Sequence, residues 1–162
     1  MSGGVPKMPA RGFAAVVLHR PKTPANVGSV LRNAHCFPGV SLVAYTGRRY
    51  EGSPTDVTKG YRSIPLQRWP DPLHEAGIPH DCVPVAVDLV QGAVDLYDFV
   101  HPRSAVYVFG PEDGTLGREV LDRCKHRIMI PTALCLNLAV ATGCVLMHRH
   151  MQTVGRARRM AA

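Results

Sequence analysis

The fold this sequence predicts is an α/β domain, a parallel β-sheet flanked by helices, and three observations predict it. Short apolar runs stop at Gly or Pro turns, as the strands of a sheet covered on both faces do. Segments with helical spacing alternate with those runs, the pattern of parallel strands joined by helical crossovers. The chain has 162 residues, enough to bury a real core within one domain.

Phe13 to Leu18 is almost wholly apolar and reads as the first buried strand. A Pro-rich turn from Pro21 to Pro24 follows, after which Asn26 or Thr23 is placed to cap a helix over about Val27 to Phe37. Pro38-Gly39 stops that helix, and Val40 to Tyr45 reads as the second strand. From Arg48 to Arg62 there is no clean period and several turn formers, which reads as loop with a short helix. A short helix is expected from Pro72 to Ala76, a buried strand from Cys82 to Val87 despite Pro84, and a helix from Gly92 to Phe99 ending before Pro102. Ala105 to Phe109 is the clearest strand, halted at Gly110-Pro111. Leu116 to Cys124 suits a helix with Leu116, Val120 and Leu121 on one side. His126 to Ile130 reads as a strand stopped by Pro131, and Leu136 to Met151 as a long, mostly buried helix. No repeat or linker divides the chain. The domain is read over 12–155, after a flexible Gly- and Pro-containing leader at 1–11 and before a basic tail at 156–162.

Hydrophobic residues make up 46% and charged residues 19%, the ordinary balance of a globular domain. No apolar run is long enough to span a bilayer, and the leader lacks the apolar core of a signal peptide, so the cytoplasm is the expected location. Five cysteines, at 36, 82, 124, 135 and 144, form no C-x-x-C pair and leave an odd number, which argues for reduced thiols. Cys144 and His148 share a helical face, but a zinc site needs two further ligands, so no metal is expected. The formal net charge of +7 favours a polyanionic partner such as RNA or DNA over a basic surface without one. Basic residues cluster at Arg48-Arg49, at Lys59 with Arg62, and from His148 to Arg159. The G-x-G-x-x-G and G-x-x-x-x-G-K-[ST] loops are both absent, which removes the common nucleotide-binding explanations.

Three short pieces carry the chemistry. The first is N-x-G-x-x-x-R, present as Asn26, Gly28 and Arg32. The second is an apolar strand followed by G-x-E-x-x-G-L, present from Phe109 to Gly117 with Thr115 inserted before Leu116. The third is Ile130-Pro131 followed by Cys135-Leu136-Asn137-Leu138-Ala139-Val140-Ala141. In this order and spacing they resemble the SpoU (TrmH-like) branch of the SPOUT RNA methyltransferases, across nearly the whole chain. Each residue also has a plainer reading: Arg32 as a surface cation, Asn26 and Asn137 as helix caps, Glu112 as a solvated turn residue, Cys135 as a packed thiol.

The resemblance implies a deep C-terminal trefoil knot, an exception to the rule that chains are unknotted. It implies S-adenosylmethionine bound there, held largely by main-chain groups of three turns: Val87, Gly110 to Glu112, and Ile130 to Leu136 with Cys135 between. Its chemistry is methyl transfer to a ribose 2′-hydroxyl of RNA. Arg32 is then expected to hold a phosphate or the developing alkoxide rather than to accept a proton, because a guanidinium stays charged. Asn26 and Asn137 would fix the geometry, and Glu112 would orient Arg32 or Asn26. Cys135 departs from the family's usual serine, and the loop from Pro131 to Cys135 is shorter than in many relatives. The resemblance is to minimal members acting on the wobble position of tRNA, with ribosomal RNA second, and a homodimer is expected because one small domain offers little RNA surface. A catalytically silent RNA-binding module on the same fold is the alternative.

Overall fold

The computed structural model describes residues 12–57 and 59–161, with side chains through Arg159. The leader read at 1–11 lies outside the described residues. Among the described residues there are seven strands: β1 (Ala14–Leu18), β2 (Val40–Tyr45), β3 (Leu66–Arg68), β4 (Val83–Val87), β5 (Val94–Asp95), β6 (Ala105–Phe109) and β7 (His126–Met129). They form one sheet in the order β3-β2-β1-β6-β4-β7-β5, and every pairing is parallel. Three helices accompany them: α1 (Pro24–Cys36), α2 (Arg118–Arg123) and α3 (Leu138–Ala161).

Side chains alternate between two cores, as the strand period of two requires. Ala14, Val16 and Leu18 pack with Val27, Val30 and Leu31 of α1 and Leu138, Val145 and Leu146 of α3. Ala15 and Val17 face the other way, against Trp69, Leu73, Leu116 and Val120. Long helices therefore cover one face, while α2 and a loop cover the other. β1 and β6 are buried along their full length, which explains their unbroken apolar runs.

Pro84 sits inside a central strand, where proline is disfavoured. The N–H of Val83 donates to Ser104 O on the β6 side, so the nitrogen of Pro84 faces β7, whose register with β4 opens only at Val85. The missing donor falls just before the ladder begins.

Several elements differ from the sequence reading. α1 starts at Pro24, with Thr23 at the cap position and Asn26 inside the first turn. The helix expected over Gly92 to Phe99 is instead the two-residue β5 and a 3-10 turn at Leu96–Asp98. Leu96 and Phe99 are both buried, and one 3-10 turn satisfies that three-residue spacing without a helix. The helix expected at Pro72 to Ala76 shrinks to a 3-10 turn at Glu75–Gly77, since Asp71 caps the Leu73 N–H in a local turn. The edge strand β3 was not foreseen. α3 continues without interruption to Ala161, so residues 156–161 of the stretch read as a tail are helical.

The middle of α3 is pinned by a polar cluster around the buried His101 and Tyr107. His101 Nδ1 lies 2.6 Å from the Tyr107 hydroxyl, and its Nε2 lies 3.0 Å from His148 Nδ1. Arg149 donates to Pro102 O at 2.6 Å and Arg103 O at 2.7 Å, and Gln152 exchanges bonds with the backbone of Phe99 and His101. Burial chiefly, with the charges of His148, Arg149 and Arg156, pushes the His101 pKa down to about 3.

Candidate active site

Loops leaving the carboxyl ends of β4, β6 and β7 meet over the sheet, where ligands bind in open α/β folds. They border a pocket with about 540 Å³ of space, part of it open to solvent. Val87, Gly110, Ile130, Cys135 and Leu136 all line it, with Glu112 at its rim. Phe109, Leu89 and Leu138 add apolar wall. Sequence reasoning missed Asp88, one residue beyond the end of β4. Its Oδ2 accepts the Leu116 N–H at 2.8 Å and so anchors the β6–α2 loop, and its own N–H donates to Ile128 O. The only signal was its position just past a strand end.

Gly110 has no left-handed φ, and a Cβ there would meet nothing closer than 3.4 Å. Neither backbone conformation nor internal packing calls for glycine. Gly110 lines the pocket, and without a side chain it leaves its main chain open to close approach by a ligand, as the resemblance expects for adenosine. Thr132 ties the β7–α3 turn by donating to Leu134 O at 2.8 Å, while the exposed Cys135 thiol reaches only Leu136 O at 3.7 Å.

Three of the four residues singled out for chemistry form one hydrogen-bonded chain. Asn26 donates through Nδ2 to Glu112 Oε1 at 2.7 Å, and its Oδ1 accepts from Asn137 Nδ2 at 2.9 Å. Asn137 Oδ1 accepts the Ala139 N–H at 2.9 Å, so this residue caps α3 as well. Pieces far apart in sequence are thus locked side by side. Burial alone would raise the Glu112 pKa, but the Lys22 N–H, the Asn26 amide and the Thr23 N–H together hold it below the usual carboxylate range. Glu112 is therefore a fixed anion at neutral pH that orients Asn26.

Arg32 is the exception. It lies exposed on α1, absent from the cavity lining and without an ion pair among the described residues. The expectation that Glu112 orients Arg32 or Asn26 resolves to Asn26. Its helix neighbour Asn33 instead points inward, donating to Ala139 O at 2.8 Å. Among the described residues no group of His, Cys, Asp and Glu is arranged to hold a metal, and no helix is long and apolar enough to cross a membrane.

Comparison with known proteins bears on this geometry. The sequence model of the SpoU rRNA Methylase family matches residues 14–147. A 23S rRNA (uridine(2479)-2′-O)-methyltransferase from Streptomyces viridochromogenes is 28% identical over 156 residues, covering 86% of this chain and 53% of its own length. The chain thus spans about half the length of the curated relative it matches. The SpoU methyltransferase AviRb from the same organism, solved with the cofactor AdoMet, superposes with a TM-score of 0.73 at 26% identity, over 89% of this chain and 59% of its own. A structure described as giving insights into the 2-OH methylation of C/U34 on tRNA superposes with a TM-score of 0.76 at 25% identity, over 90% of this chain and 99% of its own.

Proposed function

This chain belongs to the SpoU rRNA methylase family, and on that premise we propose that it is an S-adenosylmethionine-dependent methyltransferase acting on a ribose 2′-hydroxyl of tRNA. The observation that carries the reading is a cavity walled by three strand-end turns whose Glu112 bonds Asn26 and, through it, Asn137. The cofactor, when bound, supplies an electrophilic methyl group. What remains for the protein is to hold the hydroxyl in line with it, and such alignment is worth up to about 7–11 kcal/mol. Asn26 and Asn137 do this from a scaffold that Glu112 keeps rigid. The turns at Val87, Gly110, Ile130, Cys135 and Leu136 hold adenosine. The threaded C-terminal knot of the family belongs to the same reading, as does action in the cytoplasm.

Arg32 supplies the cation for phosphate or alkoxide, across a homodimer interface. Two features support this. Arg32 stands away from the cavity of its own chain. Val140, Cys144, Met147 and Met151 follow helical spacing along α3, and of these Val140, Met147 and Met151 are half or more exposed. Such a stripe fits burial against a second copy. tRNA stands ahead of ribosomal RNA because the similarity to the structure concerned with C/U34 runs over 99% of that chain.

Nucleoside mass spectrometry of tRNA and of ribosomal RNA, each treated with the protein and methyl-labelled cofactor, tests the proposal. A labelled 2′-O-methylnucleoside in tRNA is the expected result. Label in ribosomal RNA alone overturns the choice of substrate. Protein that binds both RNA and S-adenosylhomocysteine yet transfers no label to either RNA is a silent module, and the enzymatic reading falls.

A further inference from the structure

Beside the cofactor cavity lies a second and larger cleft, which the chemistry above leaves unused. It holds about 1420 Å³ of open space over the carboxyl ends of β1, β2 and β3. Arg20, Gly47 and Arg68 line it, and Arg48 and Arg49 line the adjoining depression beside Tyr50. Four arginines thus stand beyond three successive strand ends, Arg20 and Arg68 in the cleft and Arg48 and Arg49 in the depression next to it. All four are exposed, and none forms an ion pair among the described residues. The carboxylates nearby are Glu51, Glu119 and Asp71, the last bound to Arg123 at 2.8 Å.

The arrangement is built. Arg20 has φ of 52°, a left-handed conformation rare for a residue with a side chain. Its N–H is held by the buried Thr46 hydroxyl at 3.1 Å. Gly47 has φ of 88° and lies against it, such that a Cβ there would come within 3.4 Å of Arg20 Cα and Cγ. Arg68 donates through Nε to Gly47 O at 2.9 Å. Strain kept in this way, at two exposed residues that pack no core, points to use. Exposed cations that no ion pair neutralises among the described residues repel one another, and a polyanion relieves that cost.

We infer that the Arg20, Arg48, Arg49 and Arg68 cluster binds the backbone phosphates of the substrate RNA next to the nucleotide being modified. The inference rests on the proposed function, because it takes RNA as substrate. Gly114 bounds the cofactor cavity and Leu116 bounds the cleft. Two residues span at most about 7 Å, so an RNA strand leaving one rim reaches the other at once. Arginine forks suit phosphate oxygens through paired bonds, and Tyr50 offers an aromatic edge at the same depression.

The test is fluorescence anisotropy with an unmodified tRNA transcript over a salt series, beside S-adenosylhomocysteine binding. Two double variants, R20Q/R68Q and R48Q/R49Q, are compared with K59Q/R62Q, a basic pair outside the cluster. Each cluster variant should weaken RNA binding about tenfold and flatten the salt slope by about 1.4, the loss of two phosphate contacts on a single strand. Cofactor-analogue affinity and K59Q/R62Q should stay at wild-type values. Wild-type RNA affinity in both cluster variants overturns the inference. So does an equal loss in K59Q/R62Q, which marks diffuse charge attraction, and so does a wild-type protein that fails to bind RNA. If the cluster is needed for RNA binding but the wild type transfers no methyl group, the proposed function falls and this surface stands.

Discussion

Two polar networks hold α3, one at its N-terminus and one near its middle, and they are built differently. At the N-terminus, Glu112 lines the cavity and bonds Asn26, which bonds the exposed Asn137. Near the middle, His101, Tyr107, His148, Arg149 and Gln152 bond one another and nearby carbonyls, around a His101 that is 3% exposed. The first network keeps polar atoms within reach of a ligand. The second spends them on the protein itself. A buried polar cluster with its partners supplied specifies a structure, whereas polar groups aimed at a cavity rim are available for chemistry.

A crossed pair of substitutions gives the sharpest break between the two. Gly110→Val should remove S-adenosylhomocysteine binding, read by calorimetry, with little change in melting temperature. Arg149→Ala should do the opposite. It strands the Pro102 and Arg103 carbonyls, costing about 3 kcal/mol, on the order of a 10 °C fall in Tm, with cofactor-analogue affinity retained. If both substitutions move the same quantity, the two networks are not separate in function. Next in size is Arg32→Ala, expected to slow methyl transfer about a hundredfold in a single-turnover assay while leaving analogue affinity intact. Arg32→Lys should not rescue it, because a point charge lacks the fork.

Acid should find the buried network first. His101 carries its proton more readily unfolded, near 6.5, than folded, near 3. Its contribution is therefore intact above about pH 6.5 and lost as pH falls toward 3. At pH 5 the loss is about 2 kcal/mol relative to neutral pH. Urea melts at pH 7.5 and 5 should show this difference in wild type and a smaller one in His101→Gln. The smallest effect is expected from Asn137→Ala, which removes a helix cap worth about 1 kcal/mol but also frees Asn26. A fall in methylation rate larger than that loss of stability explains would mark Asn137 as more than a cap.

Strands were legible in proportion to their burial. Val40 to Tyr45 and Ala105 to Phe109 match β2 and β6 end for end because β6 is buried throughout and β2 from Leu42 to Tyr45, and buried stretches leave apolar runs. The edge strands β3 and β5 have three and two residues, and Gln67, Arg68 and Val94 are exposed, so no pattern announces them. Gly92 to Phe99 misled because one 3-10 turn and one helical turn bury the same pair of positions. At the site, residues beside glycine or proline turns were readable from the turns. The bond from Asn26 to Glu112 joins positions 86 residues apart, and nothing local encodes it. Arg32 was readable as a motif residue, and it is absent from the lining of its own chain's cavity. The Arg48-Arg49 pair was visible as charge, whereas its convergence with Arg20 and Arg68 depends on three strand ends lying in register.

The strand order also governs how the chain can assemble. β6 pairs with β1 on one side and β4 on the other, so it alone joins the wing made by residues 14–68 to the wing holding β4, β7 and β5. During synthesis the first three strands can pair as they emerge. β4 emerges with both edges open and must wait for residues 105–109 before it gains a neighbour. An open apolar strand is a template for wrong pairing, and parallel partners far apart in sequence meet slowly. A nascent chain ending near residue 100 should accordingly be the most protease-sensitive and aggregation-prone length of this protein, and one reaching residue 110 should be markedly less so.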